Sequence, residues 1–235
     1  MKSIIVQVTH NCTLWQLNKV NNAKYGHIFG GSRSETPLEK FSSDIFGPFD
    51  LSDFLDDGKG YIITFTDVFS RFTRLSLLKE ITGEAISRAF ETKWLKYFEP
   101  PRIVISDQGR QYTSATFKNT LSKHGIRSRF TSPYNPTANG LSERINSTLG
   151  SRLRICKGIE INRAIKSIEN GLNFSVNRVT GESPANVLGI PNPFRNPDMS
   201  LEEIVNKVRK LNKEFSENSI SKLNSKRVKH HYKKG

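Results

Sequence analysis

The sequence predicts an α/β protein in which helices flank a mixed sheet of five strands. Three strand-like segments follow one another before the first helix-like segment, and strands and helices then alternate up to residue 130. This order, β-β-β-α-β-α-β, is typical of a mixed sheet covered by helices. The chain has 235 residues, 35% of them hydrophobic, which is enough for a sizeable core in one or two domains.

The first three strands are recognised by β-branched and aromatic residues. They are KFSSDIF at 40–46, YIITFTDVF at 61–69 and the segment from Phe72 to Lys79. The intervening LSDFLDDGKG contains Asp-Asp-Gly, which is typical of a turn. The acids in and just before this segment are interpreted as a solvated loop. They are Asp50, Asp53, Asp56 and Asp57.

Helical periodicity begins at Thr82, where Ile86, Phe90 and Trp94 recur every four residues before Pro100 and Pro101. These apolar residues belong either to the core or to a subunit interface. RIVIS at 102–106 predicts a fourth strand, SATFKNTLSKHG at 114–125 a helix, and IRSRF at 126–130 a fifth strand. Another helix is expected from about Asn139, with a buried stripe formed by Leu141, Ile145, Leu149 and Leu153.

The charge of the chain is +14 and is unevenly distributed. Residues 101–158 contain 10 Lys and Arg but 2 acids, and residues 201–235 contain 10 and 4, whereas residues 41–100 are slightly acidic. Such basic segments favour a polyanionic partner, most simply DNA, over a merely solvated surface. No apolar run is long enough to span a bilayer, so no membrane partner is expected. Cys12 and Cys156 give no disulfide framework.

Three acids stand at the ends of predicted elements. Asp44 lies in the first strand and Asp107 directly follows the fourth. Within SPYNPTANGLSERIN at 132–146, Glu143 opens the helix that follows the proline-rich loop. Glu143 is the only acid between Asp107 and Glu160. Each acid alone could be a strand-edge, turn or helix-dipole residue. Asp67, between apolar residues, is interpreted as a structural acid paired with Arg71.

The segments SSDIFGPF, ISDQGRQYTS and SPYNPTANGLSERIN resemble the three signature blocks of the retroviral-type integrase catalytic core, most closely that of gypsy-type LTR retrotransposons. The resemblance covers about residues 38–190 and includes the spacing of thirty-five residues between Asp107 and Glu143. It implies an RNase H-like fold and a catalytic, metal-binding triad of Asp44, Asp107 and Glu143. It also implies two Mg²⁺ or Mn²⁺ ions, with Asp44 bridging both and each of the other acids binding one.

The resemblance further implies metal-dependent processing of a DNA 3′ end and its transfer into target DNA, by oligomers acting in the nucleus. The expected DNA contacts are on the loop and on the polar side of the helix: Tyr134, Asn135, Asn139, Arg144, Ser147 and Arg154. Ser147 stands where retroviral relatives often carry a lysine. Alternatives are a non-catalytic DNA-binding remnant of such an element and, with less support, a nuclease of the same fold.

Three regions are expected. Residues 1–37 resemble a truncated zinc module plus linker, because Trp15 replaces a cysteine and His10 and Cys12 are the only candidate ligands, so no zinc is expected. Residues 38–190 form the catalytic core. Residues 191–235 are expected to be a connecting helix followed by a basic tail, which either binds DNA or is disordered.

Overall fold

The computed structural model describes residues 24–25, 33–131, 136–193, 199–225 and 227–228. The chain divides into two compact units, Gly30–Ser219 and a second one made of Met1–Phe29 with Ile220–Gly235. In the second unit, the two-residue strand Lys24–Tyr25 pairs in parallel with Arg227–Val228. The candidate zinc ligands His10 and Cys12 lie outside the described residues.

The larger unit is built on the predicted mixed sheet, whose five strands are β1 (Lys40–Asp50), β2 (Lys59–Asp67), β3 (Thr73–Leu78), β4 (Ile103–Ser106) and β5 (Arg127–Phe130). Their spatial order is β3-β2-β1-β4-β5. The first three are antiparallel neighbours, and β1, β4 and β5 run parallel. The β-β-β-α-β-α-β order and the mixed sheet predicted from the sequence are therefore confirmed.

Seven α-helices are described: α1 (Gly83–Phe90), α2 (Arg110–Thr113), α3 (Ala115–Lys123), α4 (Pro136–Ile155), α5 (Ile161–Phe174), α6 (Pro184–Val187) and α7 (Leu201–Asn224). Thr82 Oγ1 caps α1 by accepting from Ala85 N, and Ser114 Oγ caps α3 by accepting from Phe117 N. Helix α4 begins three residues before the predicted start at Asn139. None of the described helices is long and apolar enough to cross a membrane.

Helices α1 and α3 cover one face of the sheet. Their core contains Phe41 of β1 stacked on Trp94, with ring centroids 5.1 Å apart. Phe90 and Trp94 are completely buried in this layer, so they are core residues and the alternative of an interface role is wrong. Trp94 lies in a single π-helical turn, Glu91–Leu95, that extends α1.

Helices α4 and α5 cover the other face. Ile145, Leu149 and Leu153 are buried against Ile62 of β2 and neighbouring residues, and Leu141 is partly buried. The stripe predicted from the four-residue spacing is confirmed. Gly150 lies on the same side of α4, where a Cβ would be 3.5 Å from the Phe46 ring, so the helix packs closely on β1.

Side chains of helix α5 also form hydrogen bonds with backbone groups at the open edge of the sheet. Strand β3 is an edge strand, and Thr73 N donates to Asn173 Oδ1 at 2.8 Å while Asn173 Nδ2 donates to Thr73 O at 2.8 Å. Leu75 N donates to Glu169 Oε2 at 2.7 Å. Side chains of α5 thus replace a neighbouring strand, which leaves fewer backbone groups available for pairing with another chain.

We expect Asn173→Ala to destabilise the protein by about 2–3 kcal/mol, since it leaves a buried N–H and a buried C=O of Thr73 unpaired. Urea unfolding measures the change. Asn170→Ala, an exposed position on the same helix, is the matched control and is expected to change stability by less than about 0.5 kcal/mol. Equal effects of the two substitutions would show that the amide does not hold the edge strand.

The strand predicted to reach residue 69 ends at Asp67, because the carboxylate of Asp67 organises the following turn. Asp67 Oδ2 accepts from Ser70 N and Ser70 Oγ, and Oδ1 accepts from Leu38 N. The expected pairing of Asp67 with Arg71 is not a direct ion pair among the described residues, although the charge of Asp67 acts on the guanidinium and Arg71 N donates to Asp67 O at 2.9 Å. Arg71 Nη2 donates instead to Asn212 Oδ1 of α7, at 3.3 Å.

Candidate active site

The parallel pairing of β1 and β4 brings Asp44 and Asp107 to equivalent places. Ser42 is paired with Ile105, and each aspartate lies two residues beyond that pair along its own strand direction. Adjacent strands are roughly 5 Å apart, so both acids lie just beyond the last paired residues of two neighbouring strands. This is the carboxyl edge of β4, where open α/β sheets commonly bind ligands.

Strand alternation directs β1 side chains to opposite layers. Ser42 Oγ hydrogen-bonds Ser142 Oγ of α4 at 3.0 Å, whereas Ser43 Oγ hydrogen-bonds Tyr112 Oη on the other side at 2.9 Å. Asp44 shares the face of Ser42 and is therefore directed to α4. There Asn146 Nδ2 donates to Asp44 Oδ2 at 2.9 Å.

Two contacts of α4 with β1 determine where Glu143 lies. Ser142 is buried against Ser42, and Asn146, one helical turn further, reaches Asp44. Glu143 lies between these anchors and is exposed. The charges of both Asp107 and Glu143 act on the carboxylate of Asp44, so the three acids lie in the same region of the structure.

Burial raises the pKa of Asp44, and the charges of Asp107 and Glu143 raise it further. The hydrogen bonds from Ile45 N and Asn146 act in the opposite direction. The pKa of Tyr112 is also raised well above its usual value by burial and by the charges of Asp44 and Asp107. The site is thus a half-buried concentration of negative charge.

The chemistry of these donors fits a hard divalent cation, because carboxylate oxygens are the ligands that Mg²⁺ prefers. The amide of Asn146, whose Nδ2 donates to Asp44, also carries a buried Oδ1 that has no hydrogen-bond partner. As placed, no group of three His, Cys, Asp or Glu within the described part of the chain is compact enough to hold a metal ion. Asp44 and Asp107 are instead hydrogen-bonded to nearby backbone N–H groups, those of Ile45 and Gly109.

The residues expected to contact DNA lie in different parts of the structure. Ser147 and Arg154 are exposed on the side of α4 that carries Glu143. Arg144 is also exposed, but its guanidinium lies over the Phe215 ring of α7, 5.7 Å from the centroid. Tyr134 and Asn135 lie outside the described residues, as does the side chain of Asn139.

Sequence reasoning missed two residues of the site, Asn146 and Tyr112. Asn146 could have been found from its position three residues after Glu143, since residues at i and i+3 lie on adjacent sides of a helix. Tyr112 had no such signal. Its contact with Ser43 links residues 69 positions apart and depends on the packing of α2 beneath β1.

Residues 35–136 match the family model of the integrase core domain. The matched segment is similar to integrase cores of the retroviral type, and its sheet order agrees with the RNase H-like fold that the Asp-Asp-Glu pattern had indicated. The match includes Asp44 and Asp107 and ends seven residues before Glu143.

Among curated proteins, the chain is similar to the Tf2-3 and Tf2-4 transposon polyproteins of Schizosaccharomyces pombe. Each is 29% identical over 201 residues, which is 82% of this chain. The chain spans 15% of the length of these polyproteins.

Among solved structures, the chain resembles a protein of the simian T-cell lymphotropic virus intasome in complex with the PP2A regulatory subunit B56 gamma. The TM-score is 0.63 at 20% identity, over 85% of this chain and 71% of that one. It also resembles the dimeric HTLV-2 integrase catalytic core domain in complex with magnesium. The TM-score is 0.53 at 18% identity, over 68% of this chain and 100% of that one. These likenesses establish the shared fold.

Proposed function

We propose that this chain catalyses metal-dependent cleavage and joining of DNA strands, as the core of a retrotransposon-type integrase. The observation that carries the proposal is that the charges of Asp107 and Glu143 act on Asp44 beside the carboxyl end of β4. The acids are 63 and 36 positions apart in the sequence, so only the fold brings them into one region, and residues 35–136 match the integrase core family.

The three acids would hold divalent cations, with Asp44 shared and with Asp107 and Glu143 each completing one of two sites. We propose Mg²⁺ as the physiological ion, because the HTLV-2 core that this fold resembles is a magnesium complex. When bound, such ions stabilise the attacking and leaving oxygens of a phosphodiester. Asp107 and Glu143 are exposed, so their side chains have the freedom to turn towards Asp44.

The protein's own groups orient the reaction. Asn146 holds one oxygen of Asp44, and Ile45 N holds the other, so the buried carboxylate has a fixed orientation. The exposed Ser147 and Arg154 continue the side of α4 that carries Glu143 and offer a polar path for a DNA strand. We further propose that the active form is an oligomer acting on DNA in the nucleus, because the fold is shared with an intasome component and with a dimeric core.

The test is to incubate the purified chain with an end-labelled DNA duplex and Mg²⁺ or Mn²⁺, in parallel with an Asp107→Asn variant. Metal-dependent nicking or strand joining that is absent from the variant supports the proposal. DNA binding without cleavage in either protein would contradict it and would favour a non-catalytic, DNA-binding descendant of such an element.

Asn146→Ala is expected to lower the rate of strand cleavage roughly 10–100-fold, the usual cost of removing a group that orients a metal ligand. The physical reason is the loss of the hydrogen bond to Asp44 Oδ2. When the cleavage rate is titrated against Mg²⁺, the variant is expected to need more metal than the wild type for half-maximal activity. Asn170→Ala is the control on an exposed helix surface, and equal rates for both variants would exclude a positioning role for Asn146.

A further inference from the structure

We propose that a second site, separate from the three carboxylates, binds a phosphate-class anion. An open cavity of about 80 Å³ lies between α4, α5 and the turn after β2; we call it the arginine cavity. This volume is well above the roughly 10–15 Å³ that one water needs. Its lining combines two arginines with polar and aliphatic residues: Arg71, Thr73, Leu141, Arg144, Ile145, Thr148, Leu172, Asn177 and Val179.

Arg71 is held in the lining by its backbone and by α7. Its φ of 70° is in the left-handed region, within the turn that Asp67 organises. Its side chain is largely buried, and Nη2 makes one long hydrogen bond, to Asn212 Oδ1 at 3.3 Å. Its Nε is buried without a hydrogen-bond partner. A buried donor that is left unpaired is costly, so the protein by itself does not satisfy this guanidinium, which belongs to the lining of the cavity.

Arg144 contributes the second positive charge. Burial lowers the pKa of Arg71 to about 10; the charge of Asp67 opposes this shift, and the nearby charge of Arg144 adds a smaller lowering, so Arg71 remains a cation at neutral pH. Neither arginine forms an ion pair with an acid in the described part of the chain, and no acid lines the arginine cavity. Asp67 is close enough to attract Arg71, but its oxygens are occupied by Leu38 and Ser70.

Two arginines that face one polar cavity without a carboxylate repel each other, and an anion between them removes that repulsion. Guanidinium groups match the oxygens of a tetrahedral phosphate, and the NH₂ group of Asn177 is an additional donor at the wall. The hydroxyl of Thr148 donates to Arg144 O at 2.9 Å. The aliphatic residues limit access of water and strengthen the attraction. The ligand is therefore a phosphate group, either of a DNA backbone or of a free phosphate ester.

Thermal unfolding in EDTA tests the proposal without any metal-dependent activity, so its outcome does not depend on the proposed function. Sodium phosphate is compared with sodium chloride at equal ionic strength. The wild-type Tm is expected to rise by about 3 °C when phosphate is about ten-fold above its Kd. Arg144→Gln is expected to abolish this rise, whereas Arg163→Gln, which removes an exposed arginine from α5, retains it.

Thr148→Glu provides a variant that keeps both arginines and places a carboxylate in the cavity. It is expected to fold with an unchanged or higher Tm in chloride and to lose the response to phosphate. A phosphate response in Arg144→Gln and Thr148→Glu as large as that of the wild type would overturn the proposal.

The salt dependence of DNA binding distinguishes the two sources of the phosphate. If the cavity binds the DNA backbone, Arg144→Gln reduces the slope of log K against log salt by about 1 relative to the wild type. If the slope is unchanged while the response to inorganic phosphate is lost, the ligand is a free phosphate ester. Both results support an anion site in the arginine cavity.

Discussion

Asp107→Asn is expected to lower the rate of metal-dependent DNA cleavage at least about 1,000-fold, which corresponds to about 4 kcal/mol of transition-state stabilisation. Asp107 is exposed at the end of β4, and its charge acts on the half-buried Asp44. An amide at this position keeps the shape and removes the negative charge that would hold a cation. The expected loss is therefore in the chemistry rather than in folding.

The measurement is single-turnover cleavage of a labelled duplex at saturating Mg²⁺, with thermal unfolding of each variant to show that the fold is intact. Asp44→Asn and Glu143→Gln are expected to have similar losses. The double variant Asp44→Asn/Asp107→Asn is expected to be about as slow as either single one, because groups that act as a unit are not additive. Asp57→Asn, in the exposed loop, is the charge-matched control; a loss of activity there, or none in Asp107→Asn, would contradict the assignment.

Asp67→Ala is expected to destabilise the protein by about 3 kcal/mol, although Asp67 lies outside the three-acid site. The substitution leaves Leu38 N, Ser70 N and Ser70 Oγ without their acceptor, and unpaired buried donors cost about 1–3 kcal/mol each. The carboxylate is itself costly to bury, so its removal offsets part of this loss of stability. Urea unfolding at pH 7 measures the effect, and Asp57→Ala, an exposed control, is expected to change stability by less than about 0.5 kcal/mol.

The cost of Asp67→Ala is expected to depend on pH. Burial raises the pKa of Asp67 above 3.8 in the folded protein, so the folded state retains this proton more strongly than the unfolded chain. The stability that Asp67 contributes is then fully present below pH 4 and falls as the pH rises through the folded pKa. The difference in unfolding free energy between wild type and variant should decrease from pH 4 to pH 7. A difference that grows over this range would show that the carboxylate is stabilised as an anion.

Much of the larger unit was predictable because its signals are local. The β-branched and aromatic residues of β1 and β2, the four-residue spacing on α4, and the helix caps at Thr82 and Ser114 each involve residues within a few positions of one another. The three acids were also predictable, because Asp107 follows a buried strand directly and Glu143 lies near the start of a helix after a loop rich in proline. Only the resemblance to integrase cores joined them into one site.

Several contacts of the site could not be predicted, because they join distant parts of the chain. Asn146 reaches Asp44 across 102 positions, and Ser142 reaches Ser42 across 100. Asp67 seemed a partner for Arg71 because they are four residues apart, but the tight turn directs its carboxylate to Ser70 and Leu38. Local spacing gives no indication of such a choice between nearby partners.

The sequence by itself determined the order of strands and helices, the basic character of the chain and which acids are available for metal chemistry, since these follow from residue type and local periodicity. Only the tertiary structure decided that Asn146 orients Asp44, that Asn173 completes an edge strand and that Arg71 shares a cavity with Arg144. The physical reason is that hydrogen bonds and charge interactions act over a few ångströms. Which groups come that close is determined by how α4, α5 and α7 pack on the sheet and its turns.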